Sequence, residues 1–482
     1  MKQDAFRSFR RSIAVLAAAC LVLSGCRTEE KEPTETVPEY EAASAETKKT
    51  PKYIFLFIGD GMSYSQIQLT ADYLGLEKSG KTVPESLSFL DFPVTGSLET
   101  GNAESFCTDS ASAGTAMATG KKTKTGVLGM DADGVRTESI TEKLKAQKGF
   151  RIGLATTVNL NHATPAAFYA HQPSRNLYYE IGGELLAGGF DFLAGGSLLE
   201  PTGKKEEGVS LYALAEQTGY QMIWGKPQTV DWTGKVWITA SETDAKGALP
   251  FLLDGGGGWT LADSVKAGIQ ALQNGDGFFL MAEAGKIDWA CEANDARTMI
   301  EEVSGLDLAV QEAVRFQKQH PDDTLILVTG DHETGGLSIG NRENGLKTHL
   351  DLLSGQQISF ARYEEELVTQ YKKQQMAFTS VQSELAEWFG LGEGGLALSE
   401  EEWNLLKEAY QETLDTAYKG RSPLIQAVGT LIAEKAGIGW STGQHSGQPV
   451  PVFALGVGAE RFAGWQDNTD IFKHLAELTG VN

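Results

Sequence analysis

The chain contains four short apolar runs, each bounded by glycine. They cover residues 53–58, 277–282, 324–329 and 450–455. Uninterrupted apolar runs of this length are typical of strands that are buried on both faces of a parallel sheet. The pattern therefore predicts a sheet whose central strands are covered by helices on both sides.

Residues of the kinds that bind metal ions adjoin all of these runs. Asp60 follows the first run, Glu283 the second, and Asp331 and His332 the third, whereas His445 precedes the fourth. In open α/β sheets, sites form at the carboxyl ends of the strands. Carboxylates and imidazoles delivered there from distant parts of the sequence predict one polynuclear metal site.

Helical patterns alternate with these strands. Residues 63–74 can form a helix after the first run, and apolar residues at helical spacing extend from 299 to 314. A further strand is expected over residues 151–156. This βαβ order predicts an α/β fold, namely a doubly wound, mostly parallel sheet with helices on both faces. Residues from about 341 to 422 interrupt the order with Lys-, Glu- and Gln-rich helical patterns, which predicts an inserted helical region near the site.

The amino-terminal residues predict an export signal and a tether. Basic residues at positions 2, 7, 10 and 11 precede an apolar stretch over residues 13–23, which is the layout of a secretory signal. The letters LSGC at 23–26 resemble the bacterial lipobox, so we expect residues 1–26 to be a lipoprotein signal peptide and Cys26 to be lipidated. The alternative is an uncleaved anchor helix with an incidental cysteine. Residues 27–51, rich in Glu, Thr, Pro and Ala, predict a flexible tether before a domain at 52–482.

Charge and cysteine content narrow the range of functions. The 482 residues carry a formal net charge of −23, which argues against binding to nucleic acid or anionic lipid. Once Cys20 leaves with the signal and Cys26 carries the lipid, Cys107 and Cys291 remain. A disulfide between them and two free buried thiols are both open at this point.

Ser110 is the candidate nucleophile. It follows Thr108 and Asp109 and precedes the run ASAGTAMATG at 111–120, whose small residues allow a helix to begin there and pack closely. The hydroxyl and the first backbone N–H groups would lie at the positive end of that helix, which suits a phosphoryl group. An Asp-Ser pair before a helix can also serve only as an N-cap.

Several short motifs together resemble those of the bacterial alkaline phosphatases. The motifs are GDGM at 59–62, TDSA at 108–111, HATPA at 162–166 with Arg175, Glu283 with Asp288, GDH at 330–332, and His445. The resemblance covers nearly all of residues 52–482 and is loose in the insertion and from about 200 to 260. It implies an alkaline-phosphatase-like catalytic domain that hydrolyses phosphomonoesters with zinc and magnesium, through a phosphoserine at Ser110.

The resemblance also implies three metal sites, whose donor types suit zinc twice and magnesium once. The implied sets are Asp60, Asp109, Asp331 and His332 with Ser110 for one zinc, Asp288, Glu292 and His445 for a second zinc, and Asp60, Glu283 and Thr164 for magnesium. The family has a histidine where this chain has Glu292. Direct ligation by Glu292, a solvated helix glutamate and loss of the site are the alternatives.

Substrate binding is implied for the neighbours of these ligands. Arg175 would hold two phosphate oxygens at once beside Asp109. His162 and Trp289 match the His/Trp variant of the family, with His162 expected to be a water-mediated neighbour of the magnesium or the phosphate.

The implied biological setting is that of an exported enzyme. We expect phosphomonoester small molecules as partners, no nucleic acid, membrane attachment only through the lipid, and a location facing the periplasm or cell surface. A homodimer is expected on resemblance alone. The competing readings are a phosphodiesterase or sulfatase of the same metal-hydrolase superfamily and a non-catalytic phosphate-binding lipoprotein.

Overall fold

A computed structural model of the chain describes residues 49–227, 230–273, 275–392, 394–415, 417–418 and 420–482. The predicted signal peptide, Cys26 and nearly all of the predicted tether lie outside these residues, so they stay predictions. None of the described helices combines the length and the apolar character that a membrane crossing requires.

Strands and helices alternate along most of the described chain. The strands are β1 (Tyr53–Gly59), β2 (Val94–Glu99), β3 (Arg151–Asn159), β4 (Phe192–Gly196), β5 (Tyr220–Trp224), β6 (Lys235–Thr239), β7 (Phe278–Ala284), β8 (Thr324–Gly330), β9 (Glu333–Thr334), β10 (Leu337–Ile339), β11 (Ile438–Trp440), β12 (His445–Ser446), β13 (Val450–Gly456) and β14 (Gly464–Asp467). The helices are α1 (Tyr64–Ser79), α2 (Ser110–Thr119), α3 (Ile140–Lys148), α4 (Ala163–Ala166), α5 (Tyr178–Gly188), α6 (Leu211–Gln217), α7 (Leu261–Leu272), α8 (Lys286–Glu292), α9 (Ala296–Gln319), α10 (Phe360–Tyr363), α11 (Thr369–Gln374), α12 (Phe378–Phe389), α13 (Glu400–Asp415), α14 (Pro423–Ala436) and α15 (Asp470–Thr479).

A ten-stranded sheet of the order β14-β2-β13-β8-β1-β7-β3-β4-β6-β5 organises the described residues. The strands from β8 to β5 along this order pair in parallel, as β14 and β2 do. Strand β13 is antiparallel to both of its neighbours, β2 and β8. The predicted α/β fold with a mostly parallel sheet is therefore confirmed.

The central strand β1 shows why the sheet needs helices on both faces. Phe55 and Phe57 are fully buried in one apolar cluster with α1, α7, α9 and α14. Ile54, Leu56 and Ile58 are fully buried in a second cluster with α2, α3, α5 and α15. Successive side chains of a strand point to opposite faces, so a continuous apolar run is buried on both.

The reversed direction of β13 explains how His445 reaches the same edge as the other predicted ligands. The amino end of an antiparallel strand lies at the carboxyl ends of its parallel neighbours. Val452 of β13 pairs with Thr329 near the end of β8. His445, which precedes β13, is therefore delivered to the edge at which β8 ends.

The predicted insertion forms α10 to α13 and is anchored beside α8 and α9. Phe360, Tyr363 and Phe389 belong to the same apolar cluster as α9. Buried Asp295, the residue before α9, accepts hydrogen bonds from the backbone N–H of Phe360 and from Nε2 of Gln356, both at 2.8 Å. These contacts hold the inserted helices next to the start of α9, which follows the helix that carries Asp288.

Candidate metal centre and nucleophile

The carboxyl ends of three adjacent strands gather the acidic side chains. Strand β1 lies between β7 and β8, and the register pairs Ile58 with Glu283 and Gly59 with Gly330. Asp60, Glu283 and the residues after Gly330 therefore emerge side by side. Asp60 and Glu283 are 0% exposed.

Three groups of side chains at this edge have ligand atoms close enough to share a metal ion. Within each group, the candidate ligand atoms lie within 4.8 Å of one another. The groups are Asp60, Asp331 and His332; Asp288, His332 and His445; and Asp60, His162 and Glu283. Because Asp60 and His332 each belong to two groups, the three positions form one connected centre.

Unpaired oxygens show that the residues fit bound cations. Asp60 Oδ1, Glu283 Oε1 and Asp331 Oδ2 are buried and have no hydrogen-bond partner among the described residues. Buried polar atoms in proteins are nearly always paired, and an unpaired carboxylate oxygen is costly. Divalent cations bound in the groups that contain Asp60, Glu283 and Asp331 would satisfy these oxygens.

Burial raises the pKa values of these carboxyl groups, and neighbouring carboxylates raise those of Asp60 and Glu283 further. Burial is the largest cause, and it raises the pKa of Glu283 to about 7 and that of Asp331 to about 6. Burial also raises the pKa of Asp60 well above its usual range, and Asp331, Asp288 and Glu283 raise it further. Like charges this close ionise together only when opposite charge is supplied, which a metal ion does.

Thr334 orients two of the candidate ligands. Its hydroxyl donates to Asp288 Oδ1 at 2.5 Å and lies 3.2 Å from His332 Nδ1. Since the hydroxyl proton is committed to Asp288, the oxygen accepts from His332 Nδ1–H. His332 Nε2 is then unprotonated and faces Asp60 Oδ1 at 3.4 Å and Asp331 Oδ2 at 3.3 Å, as a metal ligand must.

Replacing Thr334 with valine should therefore weaken metal binding while the apolar volume is kept. Loss of an outer hydrogen-bond partner of a metal ligand typically costs about 10- to 100-fold in affinity. We expect an increase of that size in the Kd for Zn²⁺, measured by competition with a chelator. Thr70→Val is the matched control, because Thr70 is equally buried but donates to Gln66 O within α1. Equal zinc affinity in the two variants would contradict the orienting role.

His445 completes the group that contains Asp288. His445 Nδ1 lies 2.9 Å from the carbonyl oxygen of Thr108, so it donates there and leaves Nε2 free to face Asp288 Oδ1 at 3.6 Å. Its ring stacks on that of His332 with 3.7 Å between centroids. The pairing of β12 with β9 fixes the backbone of His445 opposite Thr334.

Glu292 lies at the rim of this group. It is one helical turn beyond Asp288 on α8, and its Oε1 is 4.0 Å from His445 Nε2. The carboxylate falls outside the three groups, and 40% of the side chain is exposed. Burial and the charge of Asp288 raise the pKa of Glu292 to about 7. Direct ligation by Glu292 stays a prediction.

Ser110 begins α2 at the same edge. Ser110 is 2% exposed, and its Oγ lies 3.4 Å from His332 Nε2. Gly114 explains the run of small residues, because a Cβ there would lie 2.9 Å from the Cβ of Ala167 after α4. Close packing of the two helices thus requires small side chains in α2.

Asp109 anchors Arg175 and caps α2. Arg175 Nη1 donates to Asp109 Oδ2 at 2.9 Å, while Asp109 Oδ1 accepts from the backbone N–H groups of Ser112 and Gly126, both at 3.1 Å. Both oxygens of Asp109 are therefore engaged, and the residue lies outside the three metal groups. The expected role of Asp109 as a zinc ligand does not match this geometry, whereas its place beside Arg175 does.

His162 lies closer to the ligands than expected. It was predicted to be a water-mediated neighbour, yet a ring nitrogen falls in the group with Asp60 and Glu283, at a distance that admits direct ligation. His162 Nε2 is 3.2 Å from Arg175 Nη2, and its ring packs edge-on against Trp289. Burial lowers the pKa of His162 well below its usual range, so its nitrogen is available as an acceptor.

Two threonines contact the carboxylates of the group that contains Asp60 and Glu283. Thr164 of α4 was predicted from the sequence, and its Oγ1 lies 3.4 Å from Asp60 Oδ2. Thr156 was not predicted, and its hydroxyl donates to Glu283 Oε2. The register of β3 against β7 pairs Thr156 with Glu283, so only knowledge of the strand neighbours could have revealed it.

The two remaining cysteines are free. The alternative of a disulfide between Cys107 and Cys291 is therefore wrong. Cys291 is buried in α8, as expected, but Cys107 is exposed because it lies in the loop before α2. The prediction of two buried thiols is thus correct for Cys291 alone.

Comparisons with known proteins agree with this geometry. The family model described as alkaline phosphatase matches residues 51–481. "Alkaline phosphatase 4" of Bacillus subtilis is 30% identical over 490 residues, covering 98% of this chain and 99% of the relative.

Two solved structures extend the similarity to the fold. A cold-active alkaline phosphatase from Shewanella sp. superposes with a TM-score of 0.76 at 30% identity, covering 89% of this chain and 99% of that one. A mutant alkaline phosphatase of the Antarctic bacterium TAB5, with Mg bound in its M3 site, has a TM-score of 0.63 at 27% identity, covering 90% and 99%. The family match spans nearly all of the described residues, and the chain belongs to the alkaline phosphatase family of enzymes.

Proposed function

We propose that the protein hydrolyses phosphomonoesters through a covalent phosphoserine on Ser110 and releases inorganic phosphate. One observation carries the proposal: the Ser110 hydroxyl starts a helix at the edge where the candidate metal groups meet, 3.4 Å from His332 Nε2. Asp109, the residue before it, holds the guanidinium of Arg175 alongside. A nucleophile, an anion-binding helix end and a phosphate-binding cation thus share one site.

The donor sets support two zinc ions and one magnesium ion. Asp60, Asp331 and His332 offer the mixed oxygen and nitrogen set that suits zinc, as Asp288 and His445 do with Glu292. Asp60, Glu283 and Thr164 offer oxygen donors, which favour magnesium, with His162 beside them. Such cations, when bound, lower the pKa of a coordinated hydroxyl and neutralise phosphoryl charge.

Ser110 and Arg175 act in both half-reactions, namely phosphorylation of the serine and hydrolysis of the phosphoserine. The Ser110 hydroxyl gives its proton to water and its oxygen attacks phosphorus in line, so the Oγ–P bond forms as the P–O bond to the leaving group breaks. The leaving alkoxide takes a proton from water and departs as the alcohol. Water next attacks the phosphoserine, which frees phosphate and restores the hydroxyl. Arg175, fixed by Asp109, holds two phosphoryl oxygens through both steps and orients the group for attack.

The cellular setting is proposed from the sequence. An export signal over residues 1–26, lipid attachment at Cys26 and a tether up to residue 51 would hold the enzyme at the outer side of a membrane. Small phosphomonoesters are the proposed substrates, and a homodimer is the proposed assembly.

The reaction class can be tested with three nitrophenyl esters at one metal composition. We expect kcat/KM for the phosphate monoester to exceed the values for the diester and the sulfate by about 100-fold or more, because a site built for a dianion rejects less charged analogues. Elemental analysis of the same protein should find zinc and magnesium. A preference for the diester or the sulfate would overturn the proposed function, and phosphate binding without turnover would indicate a non-catalytic protein.

A further inference from the structure

The turn that follows Asp244 is fixed to two elements of the candidate site. Asp244 Oδ1 accepts hydrogen bonds from the backbone N–H groups of Lys246 and Ala248, both at 2.9 Å. Its Oδ2 accepts from Nζ of Lys286 at 3.1 Å, and Lys286 begins α8. On the other side, Asn159 at the end of β3 donates to the carbonyl oxygen of Lys246 at 3.1 Å. The backbone of Lys246 is therefore held in place although its side chain is exposed.

Lys286 and Lys246 differ in burial and in the partners of their ammonium groups. Lys286 is 1% exposed, and its ammonium is satisfied by Asp244, by the carbonyl oxygen of Leu249 at 2.8 Å and by the ring of Phe251. The ammonium of Lys246 forms no ion pair with any of the residues that the structure describes. The ammonium of Lys286 therefore stabilises the fold, whereas the ammonium of Lys246 is available to interact with a ligand.

The side chain of Lys246 is directed along the wall of the site. Its Nζ lies 4.6 Å from the ring centroid of Trp289. Trp289 packs against His162 with 6.1 Å between centroids, and His162 Nε2 is 3.2 Å from Arg175 Nη2. Lys246, Trp289, His162 and Arg175 therefore form a continuous row that leads from solvent to the guanidinium.

Lys246 lines a groove that runs beside the candidate site. The groove has a volume of about 930 Å³, and Trp289 and Glu292 also line it. Trp289 and Glu292 belong to α8, the helix that carries Asp288. The ammonium of Lys246 therefore lies next to the helix that supplies a candidate ligand.

We propose that Lys246 supplies, together with Arg175, a second protein cation that attracts the phosphoryl dianion of the substrate and inorganic phosphate. The inference deepens the proposed function and rests on it for the identity of the ligand. Because the ammonium is exposed and acts through its charge, its contribution is modest and is screened by salt.

Three variants separate the charge from the packing of the side chain. Lys246→Met removes the charge and keeps an apolar stem over Trp289, while Lys246→Arg keeps the charge. Lys235→Met is the matched control, because Lys235 also lies over an aromatic ring, 5.2 Å from the centroid of Tyr220. Lys235 begins β6 and so lies at the amino ends of the parallel strands, away from the site.

The readout is the Kd for inorganic phosphate, measured by calorimetry on protein loaded with zinc and magnesium. We expect Lys246→Met to raise this Kd about two- to fivefold at low salt, with a smaller ratio at high salt, and Lys246→Arg to stay near the wild-type value. A Kd for Lys246→Met equal to that of Lys235→Met would overturn the inference, as would equal weakening by Lys246→Arg and Lys246→Met. Because binding is measured without turnover, a wild type that binds phosphate but hydrolyses nothing defeats the proposed function and leaves the Lys246 result readable.

Discussion

Replacing Ser110 with alanine is expected to lower kcat for a phosphomonoester by about 1,000-fold or more, because the variant lacks the oxygen that attacks phosphorus. The folded structure should tolerate the change. Asp109, not Ser110, is the N-cap of α2. Its side chain accepts a hydrogen bond from the backbone N–H of Ser112, and the Ser110 hydroxyl takes no part in this cap. The loss of rate should therefore appear without a loss of stability.

Steady-state kinetics measure the loss of kcat, and mass spectrometry of acid-quenched protein detects the phosphorylated form. Wild-type protein should show a phosphorylated form that the Ser110→Ala variant lacks. Ser63→Ala is a matched control: Ser63 is a buried serine before α1 at the same edge of the sheet, but its hydroxyl donates to the carbonyl oxygen of Pro449. Retention of more than about a tenth of the turnover in Ser110→Ala would exclude the phosphoserine route.

Replacing Glu292 with alanine is the second change with a large expected effect. Loss of an outer partner of a metal ligand costs about 10- to 100-fold in affinity, so loss of a direct ligand should weaken one zinc at least as much. The affected zinc is the one proposed for Asp288 and His445, whose donor atoms lie within 4.8 Å of each other. Glu292→His should keep that zinc, since imidazole is also a good zinc ligand.

Zinc content after dialysis against a weak chelator measures this effect. We expect one zinc fewer in Glu292→Ala than in the wild type and in Glu292→His. Glu216→Ala, which changes an exposed glutamate on α6, controls for a general effect of charge. Full zinc content in Glu292→Ala would show that Glu292 is a solvated helix residue, and a wild type that lacks this zinc would show that the site is lost.

The backbone of the site could be predicted because strands buried on both faces are easy to recognise. The runs that became β1, β7 and β8 extend at most two residues beyond their apolar letters, so Asp60, Glu283 and Asp331 could be assigned to one edge. The direction of β13 could not be read in this way, since an apolar run looks the same in either direction. Only the pairing with β8 explains why His445 precedes its strand.

The hydrogen-bond partners of the candidate ligands could not be predicted from the sequence, for a different reason. Thr156 contacts Glu283, which is 127 residues away in the sequence, and Thr334 contacts Asp288, which is 46 residues away. Nothing in the sequence around either threonine distinguishes it from other threonines. The resemblance implied a metal-binding role for Asp109, whereas its two oxygens accept hydrogen bonds from Arg175 and from backbone N–H groups. Contacts of this kind depend on register and rotamer, which periodicity does not encode.

The antiparallel strand β13 has a consequence for the order in which the centre can be assembled. Asp60 is synthesised long before His445, which reaches the edge only when β13 docks between β2 and β8. A nascent or partly folded chain therefore lacks one imidazole of the centre. Tight binding of every cation would then require that β13 has paired with β2 and β8. Cation binding would therefore report that this late step of folding is complete.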